Sequence, residues 1–293
     1  MQETAQNLQV NSRSLARLIS NSGFSKLTSA VGARNYGMQL RNLIVKGGVE
    51  LPEKCTLQYL LDVSYFHLQQ TYRHEYVYKT KLLSDFILKK YSLSDSIILN
   101  EFRIGKSVAD MVLVNGTNKV FEIKTELDNP DRLKTQISDY YKAFSEVYIV
   151  THHSLASKYK AIVDPCIGII EFHHDYSLNT SREAIIDNSR LENITMMKSL
   201  RKGEFLNIVK KENGVLPVVT PVKLFKACLD LVSTIEPVQL QRHFLEAIKS
   251  RIAPEHEFIL KHKLPDYLKF FCYLVNFTEK QYLALPERLS CLV

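Results

Sequence analysis

The sequence predicts an α/β fold in which helices flank a mixed β-sheet, with helical extensions at both ends of the chain. Between about residues 71 and 176, helical and strand periodicities alternate along the chain. The dipeptide Asn115-Gly116 gives a hairpin signal between two strand-like runs. A later strand, helix and strand in succession predict a parallel, right-handed crossover. The sheet should therefore contain both antiparallel and parallel pairs.

The elements of this zone follow one another without long gaps. An apolar stripe at helical spacing predicts a helix over residues 73–91, and proline at position 130 opens another that reaches residue 144. A third helix is predicted over residues 154–162. The predicted strands cover residues 94–102, 108–114, 119–126, 147–151 and 166–172.

The rest of the chain has mostly helical periodicity. Gly47-Gly48 ends an N-terminal helical pattern, and three amphipathic helices with prolines near their starts follow residue 220. One short strand is expected at 215–219. We predict three segments: a basic, mostly helical extension (1–70), an α/β domain (71–205) and a helical C-terminal region (206–293).

Composition excludes several classes of protein. The chain has 293 residues, of which 45% are hydrophobic and 24% are charged, so wholesale disorder and fibrous repeats are excluded. Five cysteines are dispersed without a CxxC pair, which indicates a reducing compartment and no zinc knuckle. The absence of a long apolar segment indicates a cytoplasmic protein without a membrane partner.

The positive charge is concentrated near the N-terminus. The net charge is +7, and residues 1–49 carry six basic residues against one acid. This segment is either a helical cap packed on the main domain or a basic arm that follows phosphates. Deleting residues 1–49 is expected to flatten the salt dependence of nucleic-acid binding without removing the chemistry. The predicted nucleic-acid contacts are Arg13, Arg17, Lys26, Arg34, Arg41 and Arg132.

Acidic and basic side chains meet within the predicted hairpin. Strand alternation places Glu122 and Lys124 on one face and their apolar neighbours on the other. A three-residue loop at 115–117 would set Asp110 opposite Glu122, whereas a two- or four-residue loop would set it opposite Ile123. Convergence of the two carboxylates therefore requires an odd loop or a β-bulge.

Two converging carboxylates suit a hard divalent cation such as Mg²⁺, which accepts few protein oxygens and retains several waters. Such a cation lowers the pKa of a ligated water and neutralises charge on a phosphate, and a nearby lysine can orient that water. Asp110, Glu122 and Lys124 therefore predict hydrolysis of a phosphodiester.

The same residues resemble the PD-(D/E)XK nuclease superfamily, which has the restriction-endonuclease-like fold. Segments 109–113, 121–125 and 131–137 are also similar to an uncharacterised bacterial family within it. Ala109 stands where the motif expects proline. The resemblance spans about residues 72–205 and rests on Glu75, Asp110, Glu122, Lys124, Gln136 and Tyr140.

The resemblance implies a role for each of these residues. Asp110 and Glu122 would ligate the metal, and Lys124 would position or activate the attacking water. Gln136 and Tyr140, four residues apart on one helix face, would support the active centre or contact the nucleic-acid backbone. The acid of the first helix, Glu75, would assist the metal.

Each residue also has an ordinary structural interpretation. Lys124 can pair with Glu122 or Glu126 on a solvated strand, and Glu75 can be an N-terminal helix acid favoured by the helix dipole. Gln136 and Tyr140 can be surface and core residues. Arg132 is expected to pair with Asp128 or with a phosphate rather than to react.

Two histidine pairs, at 152–153 and 173–174, follow the last two predicted strands. Their clustering makes a transition-metal site conceivable. The spacing matches no zinc-finger or zincin motif, and adjacent strand residues point to opposite faces. Solvated or hydrogen-bonded histidines are therefore expected.

Together with the resemblance, these observations predict a Mg²⁺-dependent nuclease, with Mn²⁺ able to substitute. An endonuclease is favoured over an exonuclease, and DNA over RNA as the substrate. Asp110→Ala or Lys124→Ala should abolish cleavage. One alternative is a catalytically inactive module that binds nucleic acid or recruits a partner. Another is a defence-associated or toxin-like nuclease effector regulated by its helical region. A second copy of the chain or another protein could bind the C-terminal helices.

Overall fold

Helices and strands alternate in the middle of the chain, and helices alone occupy both ends. The computed structural model describes residues 11–293, so the first ten residues of the predicted N-terminal extension lie outside it. The helices are α1 (Ser12–Leu18), α2 (Asn21–Phe24), α3 (Ala30–Lys46), α4 (Leu57–Thr71), α5 (Glu75–Lys81), α6 (Leu88–Lys90), α7 (Leu133–Tyr140), α8 (His153–Ile162), α9 (Asn193–Lys198), α10 (Lys202–Asn213), α11 (Pro221–Val232), α12 (Pro237–Lys249), α13 (Phe258–Lys261), α14 (Asp266–Leu274) and α15 (Glu279–Leu289). The strands are β1 (Ile97–Ile104), β2 (Ser107–Val114), β3 (Asn118–Lys124), β4 (Glu146–His152), β5 (Gly168–Phe172) and β6 (Leu178–Arg182).

The six strands form one sheet whose spatial order follows the chain, from β1 to β6. The pairs β1–β2, β2–β3 and β5–β6 are antiparallel, and β3–β4 and β4–β5 are parallel. The predicted α/β class and mixed sheet are therefore confirmed. A π-helical turn, Leu82–Ile87, separates α5 from α6 within the predicted helix 73–91.

The second hairpin has the register that a three-residue loop produces. Val114 pairs with Asn118 and Met111 pairs with Phe121, so residues 115–117 form the loop. Gly116 adopts a φ of +100°, a conformation that glycine reaches without steric cost. Continuation of this register places Asp110 opposite Glu122.

Two predictions about strands were wrong. Residues 215–219 form no strand: they run without regular structure between α10 and α11, Pro217 lacks an amide donor, and the side chain of Val218 is fully exposed. Strand β6, in contrast, was not predicted. Its sequence, Leu-Asn-Thr-Ser-Arg, is mostly polar because it pairs with only one neighbouring strand and stays partly exposed.

The chain divides into two compact units. One contains Tyr91–Ile252, and the other joins the described residues up to Lys90 with Ala253–Val293. The predicted boundaries at residues 70 and 205 do not coincide with these units. The reason is that α10, α11 and α12 contribute Phe205, Val232 and Phe244 to the core beneath the sheet, while α14 and α15 do not.

The helices of the other unit bury apolar side chains from both ends of the chain. Phe24 and Leu40 are fully buried, and the Tyr76 hydroxyl donates a hydrogen bond to the Tyr267 carbonyl at 2.6 Å. Arg41 donates to the carbonyl oxygen of Val293 at 2.9 Å. The N-terminal segment is thus part of a core. Deleting residues 1–49 would remove core side chains together with the positive charge. The deletion would therefore disturb folding, and it cannot test the contribution of the charge to nucleic-acid binding alone.

Within residues 11–293, none of the helices combines the length and the apolar character that a membrane crossing requires.

Candidate active site around Glu122

The two acids of the hairpin lie on neighbouring strands. Asp110, in β2, is half-buried, and its Oδ2 accepts a hydrogen bond from the backbone amide of Ile123 at 2.6 Å. At this point an aspartate oxygen accepts the bond that a strand carbonyl would otherwise accept. The position of the Asp110 carboxylate is therefore determined by the backbone of β3, the strand that carries Glu122 and Lys124.

Glu122 is the centre of a buried polar network. Its side chain is 2% exposed, and its Oε1 accepts hydrogen bonds from Lys124 Nζ and from Gln136 Nε2, both at 2.6 Å. Its Oε2 accepts one from the Tyr140 hydroxyl at 2.5 Å. Lys124 also donates to Gln136 Oε1 at 3.1 Å. The solvated strand in the alternative interpretation is thus not observed, because both faces of β3 are covered.

The negative charge of the site acts on Tyr140. Burial, followed by the charges of Glu122 and Asp110, raises the pKa of the Tyr140 phenol far above its usual value. The phenol therefore stays protonated, and can donate to Glu122, beyond the pH at which a solvent-exposed tyrosine ionises. Its oxygen also lies 3.1 Å from the Val108 carbonyl oxygen, which connects α7 to β2.

A residue that the sequence analysis missed, Asp139, positions helix α7. Its Oδ2 accepts hydrogen bonds from the Lys106 amide at 3.1 Å and the Ser107 hydroxyl at 2.8 Å, and its Oδ1 accepts one from Lys142 Nζ at 3.0 Å. Gly105 in the β1–β2 turn has a φ of +60°, and a Cβ there would lie 3.0 Å from Asp139 Cγ. This contact fixes the helix that carries Gln136 and Tyr140.

We expect Asp139→Asn to destabilise the sheet unit by about 1–3 kcal/mol at neutral pH. Burial opposes ionisation, but hydrogen bonds from Ser107, Lys142 and Lys106 hold the pKa of Asp139 below its usual value. A lowered carboxyl pKa stabilises the fold above the unfolded-state pKa of about 4 and ceases to do so as the pH falls through the folded-state pKa. The difference in stability between the parent and the variant should therefore shrink below about pH 4. Amide hydrogen exchange across this pH range measures it, and a difference that does not change with pH would contradict it.

Two further residues near the site were not predicted. Glu101 lies opposite Asp110, since the β1–β2 register pairs Asn100 with Met111 and Phe102 with Ala109. It has a φ of +53°, which is uncommon for a residue with a side chain and occurs often at functional sites. The register of the first hairpin could have identified this residue, but the conformation has no sequence signal.

Thr151 supports the end of β3 from the neighbouring strand. Its hydroxyl donates to the Lys124 carbonyl at 2.7 Å, and the two residues are register partners in the parallel pair. The contact joins residues 27 positions apart. It depends on a parallel register that the sequence does not specify.

Other predicted site residues have different surroundings. Glu75 lies in the unit that does not contain the sheet, is exposed, and forms an ion pair with Lys79. Arg132 is exposed and forms no ion pair with any residue between 11 and 293, and the Asp128 side chain accepts from Thr125 instead.

Some of the N-terminal basic residues predicted to contact nucleic acid are exposed, and others make contacts within the protein. Arg13, Arg17 and Arg34 are exposed, whereas Lys26 donates to Gln39 at 2.6 Å. The guanidinium of Arg41 donates to the carbonyl oxygens of Val293 and Pro52, which makes it a structural residue.

The donor set of the site suits a hard divalent cation. Asp110 and Glu122 offer only oxygen ligands, which Mg²⁺ and Mn²⁺ accept. A carboxylate has about four lone-pair positions, and Glu122 uses three of them for Lys124, Gln136 and Tyr140. Asp110 and Glu122 are thus the residues of this site that could hold such an ion, provided that Lys124 shifts away from Oε1.

Comparison with known proteins identifies relatives of this chain. Protein cII of Enterobacteria phage P4 is 27% identical over 176 residues, which cover 58% of this chain and 64% of that protein. The chain thus matches just under two thirds of that relative's length. A solved structure, the SPO1766 protein of unknown function from Silicibacter pomeroyi, is 12% identical, covers 41% of this chain and 82% of its own, and has a TM-score of 0.28.

The family model described as Bacteriophage P4 protein cII matches residues 68–267, a range that includes Asp110, Glu122, Lys124 and the helix that follows them. This range is 200 of the 293 residues. The chain therefore belongs to the Bacteriophage P4 protein cII family.

Proposed function

We propose that the chain is a metal-dependent nuclease with a restriction-endonuclease-like fold that hydrolyses phosphodiester bonds, DNA being the expected substrate. The observation that supports this most is the arrangement around the hairpin. Asp110 lies opposite Glu122, and Lys124 follows Glu122 on the same face of β3. Helix α7 brings Gln136 and Tyr140 to the same carboxylate.

Each residue then has a chemical role. A bound Mg²⁺ or Mn²⁺ supplies positive charge for the phosphate and makes water a better nucleophile. Lys124, whose ammonium lies 2.6 Å from Glu122, is the group that can hold the attacking water and the scissile phosphate in line. Gln136 and Tyr140 orient the Glu122 carboxylate, and the Ile123 amide orients Asp110.

The proposal includes a local change of conformation. Lys124 and Gln136 both donate to Oε1 of Glu122, so this oxygen could bind a metal only if the ammonium moved to a phosphate of the bound substrate. A lysine side chain has four rotatable bonds, and this movement requires no change in the backbone. Arg132, exposed at the start of α7, can contact the substrate backbone.

The test is a cleavage panel with the full chain. Labelled single- and double-stranded DNA and RNA are incubated with Mg²⁺, Mn²⁺, Ca²⁺ or EDTA. We expect cleavage of DNA with Mg²⁺ and Mn²⁺ and none with EDTA. Cleavage that persists in EDTA, or a lack of cleavage of all four substrates under every metal condition, would show that the proposal is wrong.

A second function, nucleic-acid binding without cleavage, is supported by one observation. Both oxygens of Glu122 already accept hydrogen bonds, and the Lys124 ammonium neutralises its charge, as in a purely structural buried network. A calorimetric Mn²⁺ titration of the parent and of Asp110→Asn distinguishes a nuclease from a protein that binds nucleic acid without cleaving it. The nuclease binds Mn²⁺ at a site that the substitution weakens, whereas the non-cleaving protein shows no such site.

A further inference from the structure

Three histidines converge at the edge of the sheet where β4 and β5 end. His152 is the last residue of β4, His153 is the first of α8, and His174 follows β5. One ring nitrogen of each lies within 4.8 Å of the others. The ring centroids of His152 and His153, and of His153 and His174, are 4.4 Å apart, and those of His152 and His174 are 5.1 Å apart.

The histidines were expected to be solvated or hydrogen-bonded, and two of them are: His174 is exposed, and His152 Nδ1 lies 2.8 Å from the Ser154 hydroxyl oxygen. That expectation assumed that His152 and His153 continue one strand and point to opposite faces. The strand ends at His152, which caps the helix with a φ of −66° and a ψ of 142°, and His153 already belongs to α8. Strand alternation therefore does not extend to His153, and both rings can turn toward His174.

The surroundings of two of these histidines indicate which ring nitrogen could bind a metal. The Nδ1 atom of His152 lies 2.8 Å from the Ser154 hydroxyl oxygen, 3.4 Å from the Ser154 amide nitrogen and 4.0 Å from Glu126 Oε1. In the tautomer that carries its proton on Nδ1, this leaves Nε2 to bind a metal. The Nε2 atom of His153 is buried and has no hydrogen-bond partner within residues 11–293. A buried polar atom of this kind costs free energy unless another group binds it.

The three imidazoles suit a transition metal and not Mg²⁺ or Ca²⁺, which prefer oxygen ligands. With Zn–N bonds of about 2.0–2.1 Å, tetrahedral ligands lie about 3.3 Å apart. Because the three nitrogens lie within 4.8 Å of one another, the cluster must close by at most roughly 1.5 Å. His174 is exposed and lies in the turn between β5 and β6, so a change of its side-chain rotamer can provide this movement.

We propose that His152, His153 and His174 form a site for a transition-metal cation, Zn²⁺ in the first place, with water as a fourth ligand. Ser154 and Glu126 act on the other nitrogen of His152, as partners of zinc-bound histidines commonly do. The bound metal ties the β5–β6 turn to the start of α8. The site shares no residue with Asp110 and Glu122, and it does not depend on the proposed nuclease function.

The test uses the full chain without a histidine tag. Co²⁺ titration followed by visible absorption, and Zn²⁺ competition with a chromophoric chelator, measure the number of sites and the Kd. We expect one equivalent of Zn²⁺ in the parent protein. His174→Ala should weaken Zn²⁺ binding on the order of 100-fold. Removing a residue that only supports a ligand weakens metal affinity by about 10–100-fold, and removing a ligand itself has the larger effect.

Three further variants make the result specific. His153→Ala should weaken binding as His174→Ala does, and neither residue is needed for the buried cap that His152 forms. His243→Ala is the matched control, since that histidine pairs with Glu212 at 2.6 Å on other helices and should leave the Kd unchanged. Asp110→Asn, which keeps the hydrogen bond from the Ile123 amide, should also retain the Zn²⁺ equivalent.

Two outcomes overturn the proposal. One is a parent protein that binds less than one equivalent of Zn²⁺ at micromolar concentration. The other is a His174→Ala protein that binds Zn²⁺ as tightly as the His243→Ala control. If Asp110→Asn abolished binding while His174→Ala did not, this second outcome would place the metal at the acidic site.

Discussion

Replacing Asp110 by asparagine should reduce the rate of Mg²⁺-dependent cleavage by about 10³-fold. The amide oxygen of asparagine can still accept the hydrogen bond from the Ile123 backbone, so the hairpin stays intact while a full negative charge is lost. Lys124→Met should cause a loss of similar size, because the ammonium that holds the attacking water is removed. Single-turnover cleavage of labelled DNA at saturating protein measures both rates.

The control for this prediction is Asp230→Asn, which removes the charge of an exposed aspartate on α11 in the same unit. Its cleavage rate should equal that of the parent. If Asp110→Asn and Lys124→Met both cleave at the parent rate while the parent depends on Mg²⁺, the active site lies elsewhere in the chain.

Replacing Glu122 by glutamine should lower the free energy of unfolding of the sheet unit by about 3–5 kcal/mol. The side chains of Lys124 and Glu122 are only 9% and 2% exposed, so the substitution leaves a buried ammonium without its counter-charge. The double variant Glu122→Gln/Lys124→Met removes both charges and should recover most of that loss. Hydrogen exchange of the β3 amides measures the stability of this unit directly.

An exposed ion pair provides the comparison for the second prediction. Lys211 and Glu246 are 58% and 64% exposed and lie 2.9 Å apart, and such pairs contribute only about 0–1 kcal/mol. Glu246→Gln should therefore change the exchange rates little. If Glu122→Gln has no larger effect than Glu246→Gln, or the double variant is less stable than either single one, the buried network does not behave as a compensated charge pair.

Local patterns were sufficient to predict the hairpin and much of its polar face. Asn115-Gly116 marked the loop, alternation placed Glu122 and Lys124 together, and helical spacing placed Gln136 and Tyr140 on one face. These predictions succeeded because each depends on residues within a few positions of one another. The predicted sheet class followed from the same short-range periodicity.

What could not be predicted depends on contacts between distant segments. The burial of Glu122 results from α7 covering β3, and Asp139 fixes α7 by bonds to residues more than 30 positions away. Strand β6 was missed because its burial comes from one neighbouring strand and not from its own apolar content. The two histidine pairs were expected at one edge of the sheet, but the start of α8 at His153, which lets its ring turn toward His174, was not.

The joining of residues 11–90 to those after Ile252 in one compact unit has a consequence during synthesis. At translation rates of about 5–20 residues per second, the 162 residues between them take roughly 8–30 s to emerge. For that time Phe24 lacks Tyr267 and Phe271, two of the rings that pack against it. The sheet unit, in contrast, is continuous and can fold as it leaves the ribosome. Residues 11–90 are thus made before the sheet unit but reach their final packing after it, and a chaperone would have most to protect there.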